Sequence, residues 1–307
     1  MKKFIAKIII FCVIGYLIGE CIVRINKLTS DIPQRYVATN GIQLYIPGQK
    51  GYYKGATEQW EVNKYGWLGV SNIDDKAKRI SIIGDSYIEN IMNPMDCNQG
   101  YLLQEANANI GFFEAGRSGV TFIEALEIAK NLDSLNFDKH LLYLTDADFY
   151  ESFSKTNRYT DRLQIDLENE TILEGELKSP GLKKILYNSK FLYYLYQRFP
   201  LFVSKQNKGE VSSESSAFDI DSFNKLHDYI NKNYNLQNMV FVFHPKTSTD
   251  IIEFFNSKDL KYIDLKVKQG KSWDLNEADG HWSCYGHIEA SKQIQTYIKT
   301  LNLNENN

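Results

Sequence analysis

From Ile80 to the C-terminus the chain alternates short apolar runs with amphipathic stretches, and no other feature restricts the fold as much. Runs at 80–83, 112–114, 140–144, 239–243 and 262–265 read as strands. Stretches at 101–108, 120–132, 220–233, 248–257 and 286–301 read as helices, with Phe122, Ala125, Leu126 and Ala129 marking one apolar face. Short apolar strands alternating with helices build a parallel sheet covered on both sides. The expectation is a three-layer α/β/α sandwich of about five parallel strands. Residues 149–219 break the rhythm. The stretch 189–199 within them is apolar enough to pack as a helix, and 205–217, rich in Ser, Gly and Glu, reads as a mobile loop. The whole reads as an insertion after the third strand, at about 150–218, serving as a lid or a substrate-facing subdomain.

The N-terminus adds a second constraint. Met1-Lys2-Lys3 precedes an apolar run from Phe4 to Val23 broken only by Lys7 and Glu20. Its uninterrupted core, 8–19, is shorter than the roughly 20 residues a spanning helix wants, but a lysine near the end can snorkel to the interface. No small-residue cleavage site follows, and Glu20 before Cys21 argues against lipoprotein processing. Residues 1–24 therefore read as an uncleaved signal anchor. The basic residues Lys2, Lys3 and Lys7 outweigh Arg24 and Lys27, which keeps the N-terminus cytoplasmic and sends the remaining chain outside. Residues 25–78 show little periodicity and form an irregular extension; Asn63, Gly66, Trp67 and Gly69 lie in a loop expected to cover one sheet edge. The 307 residues carry a net charge of −3 and no basic stripe, so nucleic acid is not an expected partner. The 20 tyrosines could stack on sugars or merely reflect genome composition.

Chemistry is suggested at the strand ends. The first strand runs into Gly84-Asp85-Ser86, a break that in parallel sheets often leaves a side chain on the exposed C-terminal rim. Ser86 is a candidate nucleophile, and its own N–H, at the start of the next helix, is a candidate oxyanion donor. An ordinary strand-to-helix turn with a serine cap would look the same. Asp279-Gly280-His281-Trp282, after the last strand, supplies an acid and a base on the same rim. Two residues apart in extended chain, Asp279 and His281 project to one side, so the carboxylate can meet Nδ1–H while Nε2 faces Ser86. Gly119, after the second strand, has no side chain to block its N–H. His287 is a weaker alternative base, better read as a structural partner, and His244 a rim histidine. His140 and His227 read as packing or surface residues, and Asp85 as a holder of the turn. Asp146 and Asp148 without a third ligand make a weak metal site, so neither metal nor cofactor is expected.

These blocks carry a family resemblance. The chain resembles the SGNH (GDSL-type) hydrolase superfamily, especially membrane-anchored members linked to bacterial cell-surface polysaccharide O-acylation. Gly84-Asp85-Ser86 matches the first block, Gly116-Arg117-Ser118-Gly119 the second, and Asp279-Gly280-His281-Trp282 the last, over about residues 79–303. The D-x-H-W form is similar to that of alginate-type O-acetyltransferases, whereas many members have D-x-x-H. The segment containing Asn63 and Trp67 also resembles the one preceding the first block in anchored members. The resemblance implies a flavodoxin-like sheet of order 2-1-3-4-5. It also implies a serine esterase or O-acyltransferase acting on acyl, chiefly acetyl, esters of a cell-surface glycan, with a polysaccharide-assembly complex as a partner. Ser86, His281 and Asp279 would be catalytic, and the N–H groups of Ser86 and Gly119 would hold the oxyanion. One departure stands out: the third block normally ends Asn-Asp, and here Ala147 precedes Asp148. A catalytically degenerate protein of this fold that binds glycan or assists polysaccharide assembly is therefore the competing expectation.

Cys12 and Cys21 fall in the anchor. Cys97 lies eleven residues beyond Ser86 and Cys284 three beyond His281, so a shared rim could bring them within bridging distance. With no framework of further cysteines, two buried thiols is the favoured expectation.

Overall fold

The computed structural model describes residues 1–156, 158–199, 218–268 and 271–301. Its centre is a sheet of β1 (Lys78–Gly84), β2 (Ile110–Gly116), β3 (Lys139–Leu144), β4 (Met239–Phe243) and β5 (Tyr262–Asp264). The order across the sheet is β5-β4-β3-β1-β2, and every pairing is parallel. This is the expected α/β/α topology.

Side-chain alternation along the strands creates the two outer layers. Ile83, Phe113, Leu142, Phe241 and Phe243 face one side, where the helices Phe122–Leu132, Ile220–Asn233 and Thr249–Ser257 bury Leu126, Phe223 and Phe255 against them. Ile80, Ile82, Phe112, Leu141 and Val242 face the other, against Leu103 of Gln99–Ala106 and Ile294 and Ile298 of Cys284–Thr300. Each such fully buried side chain contributes about 1.5–3 kcal/mol, so the two clusters dominate the stability of the domain. The connection after β1 packs on the second face and that after β2 on the first. The crevice beside β1 is thus a switch point where parallel sheets bind ligands.

The stretch before β1 covers the edge of the sheet, as expected of its 63–69 loop. Leu68 and Ser71 bridge to Gly116 and Phe113 of β2, and Val70 O accepts the Glu114 N–H at 2.8 Å. Glu114 itself is buried, with its carboxylate accepting from the N–H groups of Val70 (2.9 Å) and Gly100 (2.7 Å). A Cβ at Gly69 or Gly100 would collide with it, which is why glycine stands at both positions.

The helix Lys2–Ile25 is long and apolar enough to cross a membrane, with mean hydropathy 2.3 over its most apolar window. After β3 come a hairpin (Gln164–Asp166 with Thr171–Leu173) and two helices, Pro180–Asn188 and Lys190–Arg198. The second helix packs on Lys2–Ile25 through Phe191, whose ring meets Tyr16 at 6.2 Å. Of the insertion expected as a lid, Arg162 reaches the second-strand loop beside Ser86, whereas this helix joins the N-terminal helix. The loop expected at 205–217 lies outside the described residues.

Candidate active site

Five loops converge at the carboxyl ends of the strands. β1 ends at Gly84, and Asp85 caps a one-turn helix, Ser86–Glu89, by accepting the Tyr87 N–H at 3.0 Å. Asp85 thus holds the turn that presents Ser86. A Cβ at Gly84 would sit 2.6 Å from Ile88, so the turn could not tighten around a larger residue.

The segment Asp279–Trp282 is the second strand of a small hairpin with Asp274–Asn276 rather than a loop. Extended backbone places Asp279 and His281 on one side and Trp282 in the core. His281 Nδ1–H donates to Asp279 Oδ1 at 2.6 Å, and Nε2 lies 2.8 Å from Ser86 Oγ. The hydrogen bond from His281 holds the Asp279 carboxyl below the ordinary range, so it stays ionised and fixes the ring. A hydroxyl, imidazole and carboxylate in this sequence can take the serine proton as the oxygen attacks an acyl carbon. The side chains of His281 and Asp279 are 31% and 32% exposed, which leaves the rim open to a substituent on a large molecule.

Three ties hold the two halves together although 193 residues separate Asp279 from Ser86 in sequence. Tyr87 packs its ring on His281 (5.3 Å), His244 (5.0 Å) and Trp282 (5.3 Å), and its hydroxyl donates to Gly280 O. Asn93 Nδ2 donates to Trp282 O at 2.8 Å. Cys97 and Cys284 form a disulfide, their Cα atoms 5.1 Å apart. The expectation of two free thiols is therefore corrected. The loop after Ser86 and the helix after His281 approach across the rim, a proximity that counting cysteines does not reveal.

The second-strand loop, 116–119, is braced by buried carboxylates. Glu89 accepts from the Ser118 N–H at 3.1 Å, from the Ser118 hydroxyl and from the Tyr45 hydroxyl. Arg117 pairs with Glu124, both fully buried, and donates to Ser118 O at 3.1 Å. Gly119 has φ +80°, a backbone state that favours glycine. Beside it lies Arg162: a Cβ on Gly119 would stand 3.2 Å from Arg162 Nε and 3.5 Å from Nη2. Arg162 Nη1 is held by Glu151, so the guanidinium turns its other edge to Gly119.

Asp146 accepts the Ser248 N–H with both oxygens, and Asp148 closes a capping box with Thr145 at 2.7 Å to its N–H. Ala147 between them is exposed on the rim. Burial, and then the charge of Asp85, raises the Asp148 carboxyl well above its ordinary range; burial raises Asp85 as well. His244, stacked on Trp282, is pushed down to about 4 by burial. His287, pushed down to about 3 by burial, is a core residue bonded to Gln99. His140 bridges Ser81 and Asp133 inside the core. Among the described residues no group of three or more His, Cys, Asp or Glu could hold a metal.

Sequence reasoning passed over Glu89, Asn93 and Arg162. Glu89 had a signal, an acid three residues past the candidate nucleophile on a short helix. Asn93 and Arg162 had none, because their partners are distant in the chain.

Solved structures similar to this chain include a lipolytic protein of the G-D-S-L family from Veillonella parvula and the psychrotrophic esterase EstA from Pseudoalteromonas sp. The first is 10% identical with a TM-score of 0.39, covering 73% of this chain and 99% of its own. The second is 12% identical with a TM-score of 0.38, covering 73% and 98%. No family model matches the sequence, and no curated protein matches it.

Proposed function

We propose that the protein is a serine esterase or O-acyltransferase that works outside the cytoplasm on acyl esters of a cell-surface glycan. The observation that carries this is the aligned set Ser86 Oγ, His281 Nε2 at 2.8 Å, and Asp279 Oδ1 at 2.6 Å from Nδ1. Ser86 attacks the acyl carbonyl, His281 takes the proton and returns it to the leaving alcohol, and Asp279 orients the imidazole. The N–H groups of Ser86 and Gly119 hold the oxyanion, and the Arg162 guanidinium beside Gly119 makes up for the donor that Ala147 lacks. Water as acceptor completes hydrolysis, and a sugar hydroxyl completes transfer. The open rim suits an ester on a polymer, and the Cys97–Cys284 disulfide suits an oxidising compartment.

The test is turnover of p-nitrophenyl acetate by the full chain in detergent, with and without an acceptor glycan, together with labelling by a fluorophosphonate. Labelling and turnover are expected in the wild type and absent in Ser86→Ala, with a loss on the order of 10^4-fold or more. Equal turnover in Ser86→Ala would remove the serine mechanism. Ala147 favours one competing reading, a glycan-binding protein without activity; glycan binding with no labelling of Ser86 would select it.

A further inference from the structure

We propose that the helix pair at 180–198 lies on an anionic lipid surface beside the N-terminal helix and sets the attitude of the domain over the bilayer. This rests on reading Lys2–Ile25 as a membrane anchor. That helix exposes Phe4, Ile9, Phe11, Leu17 and Ile18, and of its residues only Val23 is buried.

The joint between anchor and helix pair is specific. Glu20, an acid that would be costly in hydrocarbon, accepts the N–H groups of Lys190 (3.0 Å) and Phe191 (2.7 Å) and pairs with Arg24 at 2.6 Å. Arg24 also donates to Asn188 O at 2.6 Å, and Tyr16 bonds Ser189 at 2.8 Å. A Cβ on Gly19 would stand 2.7 Å from the Phe191 ring, so glycine there lets the two helices close. At about 1.5 Å per residue, Glu20 lies about 24 Å along the helix from Phe4, near the far side of a hydrocarbon core about 30 Å thick. The joint therefore stands at interface level.

From that level the helix pair presents apolar side chains that no other described residue covers. Leu182 and Ile185 are 68% and 64% exposed, and Leu192, Tyr196 and Phe199 are 41%, 49% and 62% exposed. Spacings of three and four put each set on one helical face. Cations accompany them. Lys178, Lys183, Lys184 and Arg35 line an open recess of about 460 Å³, with Asp161 the one acid among the described residues of its lining, and Arg198 closes the second helix. Apolar faces edged by lysine and arginine, continuous with an anchor, fit acyl chains and anionic headgroups together.

Spin-label accessibility in nanodiscs decides this. Leu182→Cys, Ile185→Cys, Leu192→Cys and Tyr196→Cys are made singly in a Cys12→Ser, Cys21→Ser chain, with Glu105→Cys as the solvent control. A further chain retains Cys12 as its one free thiol, to report on the anchor. In phosphatidylcholine with phosphatidylglycerol, the four positions are expected to favour collision with oxygen over a nickel chelate several-fold more than Glu105→Cys. The contrast should weaken in phosphatidylcholine alone. Cys12 favouring oxygen while the four positions match the control would overturn the proposal and leave the anchor intact. Nickel access at Cys12 would overturn the anchor and the proposal together. Low access to both reagents at the four positions would mean a protein occupant, and equal contrast in both lipids would exclude anionic recognition.

Discussion

In the proposed mechanism Arg162 supplies the oxyanion donor that local sequence announces least. Its guanidinium is placed beside Gly119 by the ion pair with Glu151 and by stacking on Tyr159 at 4.7 Å. Removing one oxyanion donor costs about 100- to 1000-fold in rate. Arg162→Gln is therefore expected to lower kcat by about that factor with KM nearly unchanged, and Ala147→Asn in the same chain to restore part of it. Steady-state kinetics on p-nitrophenyl acetate read both, and an unaltered kcat in Arg162→Gln would remove the residue from the mechanism. Glu114 makes a different prediction. Burial pushes its carboxyl up to about 7, against an unfolded value near 4.5. A carboxyl raised by folding contributes its full stability below pH 4.5 and loses it as pH rises through 7, by about 3 kcal/mol. Asp85 and Asp148, raised by burial as well, act in the same direction. Thermal melts at pH 5 and pH 8 should show the wild type less stable at pH 8. Glu114→Gln should flatten that difference while lowering stability at both, because an amide has one acceptor for two N–H groups.

At the scale of elements, the candidate site is two loops held in register by ties of different kinds. The Cys97–Cys284 bridge spans a sequence separation of 187 residues. A loop that long constrains the unfolded chain by about 5 kcal/mol in the chain-entropy model, an upper figure because measured bridges often deliver less. Cys97→Ser with Cys284→Ser is expected to lower the melting temperature by several degrees, and the unfolded wild type should show two free thiols before reduction and four after it, whereas the variant shows two in both. Four thiols in the unreduced wild type would show that no bridge forms. Asn93 and Tyr87 keep the loops in contact in that variant, so esterase activity at low temperature should fall less than stability does.

The whole molecule orders these pieces from the N-terminal helix to the rim: an apolar helix, a helix pair packed on it, and a sandwich whose edge strand is covered by the segment leading in from that helix. In the proposed topology the sandwich lies outside the cytoplasm. Alkaline phosphatase fused after residue 301 should then be active in a bacterial host, whereas the same fusion to a chain with Lys2, Lys3 and Lys7 replaced by Glu should lose most of that activity. An inactive first fusion would reverse the orientation.

What the sequence determined by itself are the features written in local patterns. Apolar runs of five or so residues punctuated by amphipathic helices point to a parallel sheet, because the crossover helices cover both faces of such strands. The helix 220–233 and the strand 239–243 end where their periodicity ends, at Asn233 and Phe243. The blocks around Ser86, Gly119 and His281 were legible because parallel topology sends every strand's carboxyl end to one rim. What only the tertiary structure decided are pairings between distant residues of ordinary type. Arg162 beside Gly119, Glu89 under Ser118, Glu20 capping Lys190 and Phe191, and the bridged cysteines each join segments that no period or spacing links. A helix or strand repeats its signal every few residues, so a window of sequence contains it. A long-range contact is formed once, by whichever side chains the packed elements happen to bring together, and its signature exists only in three dimensions.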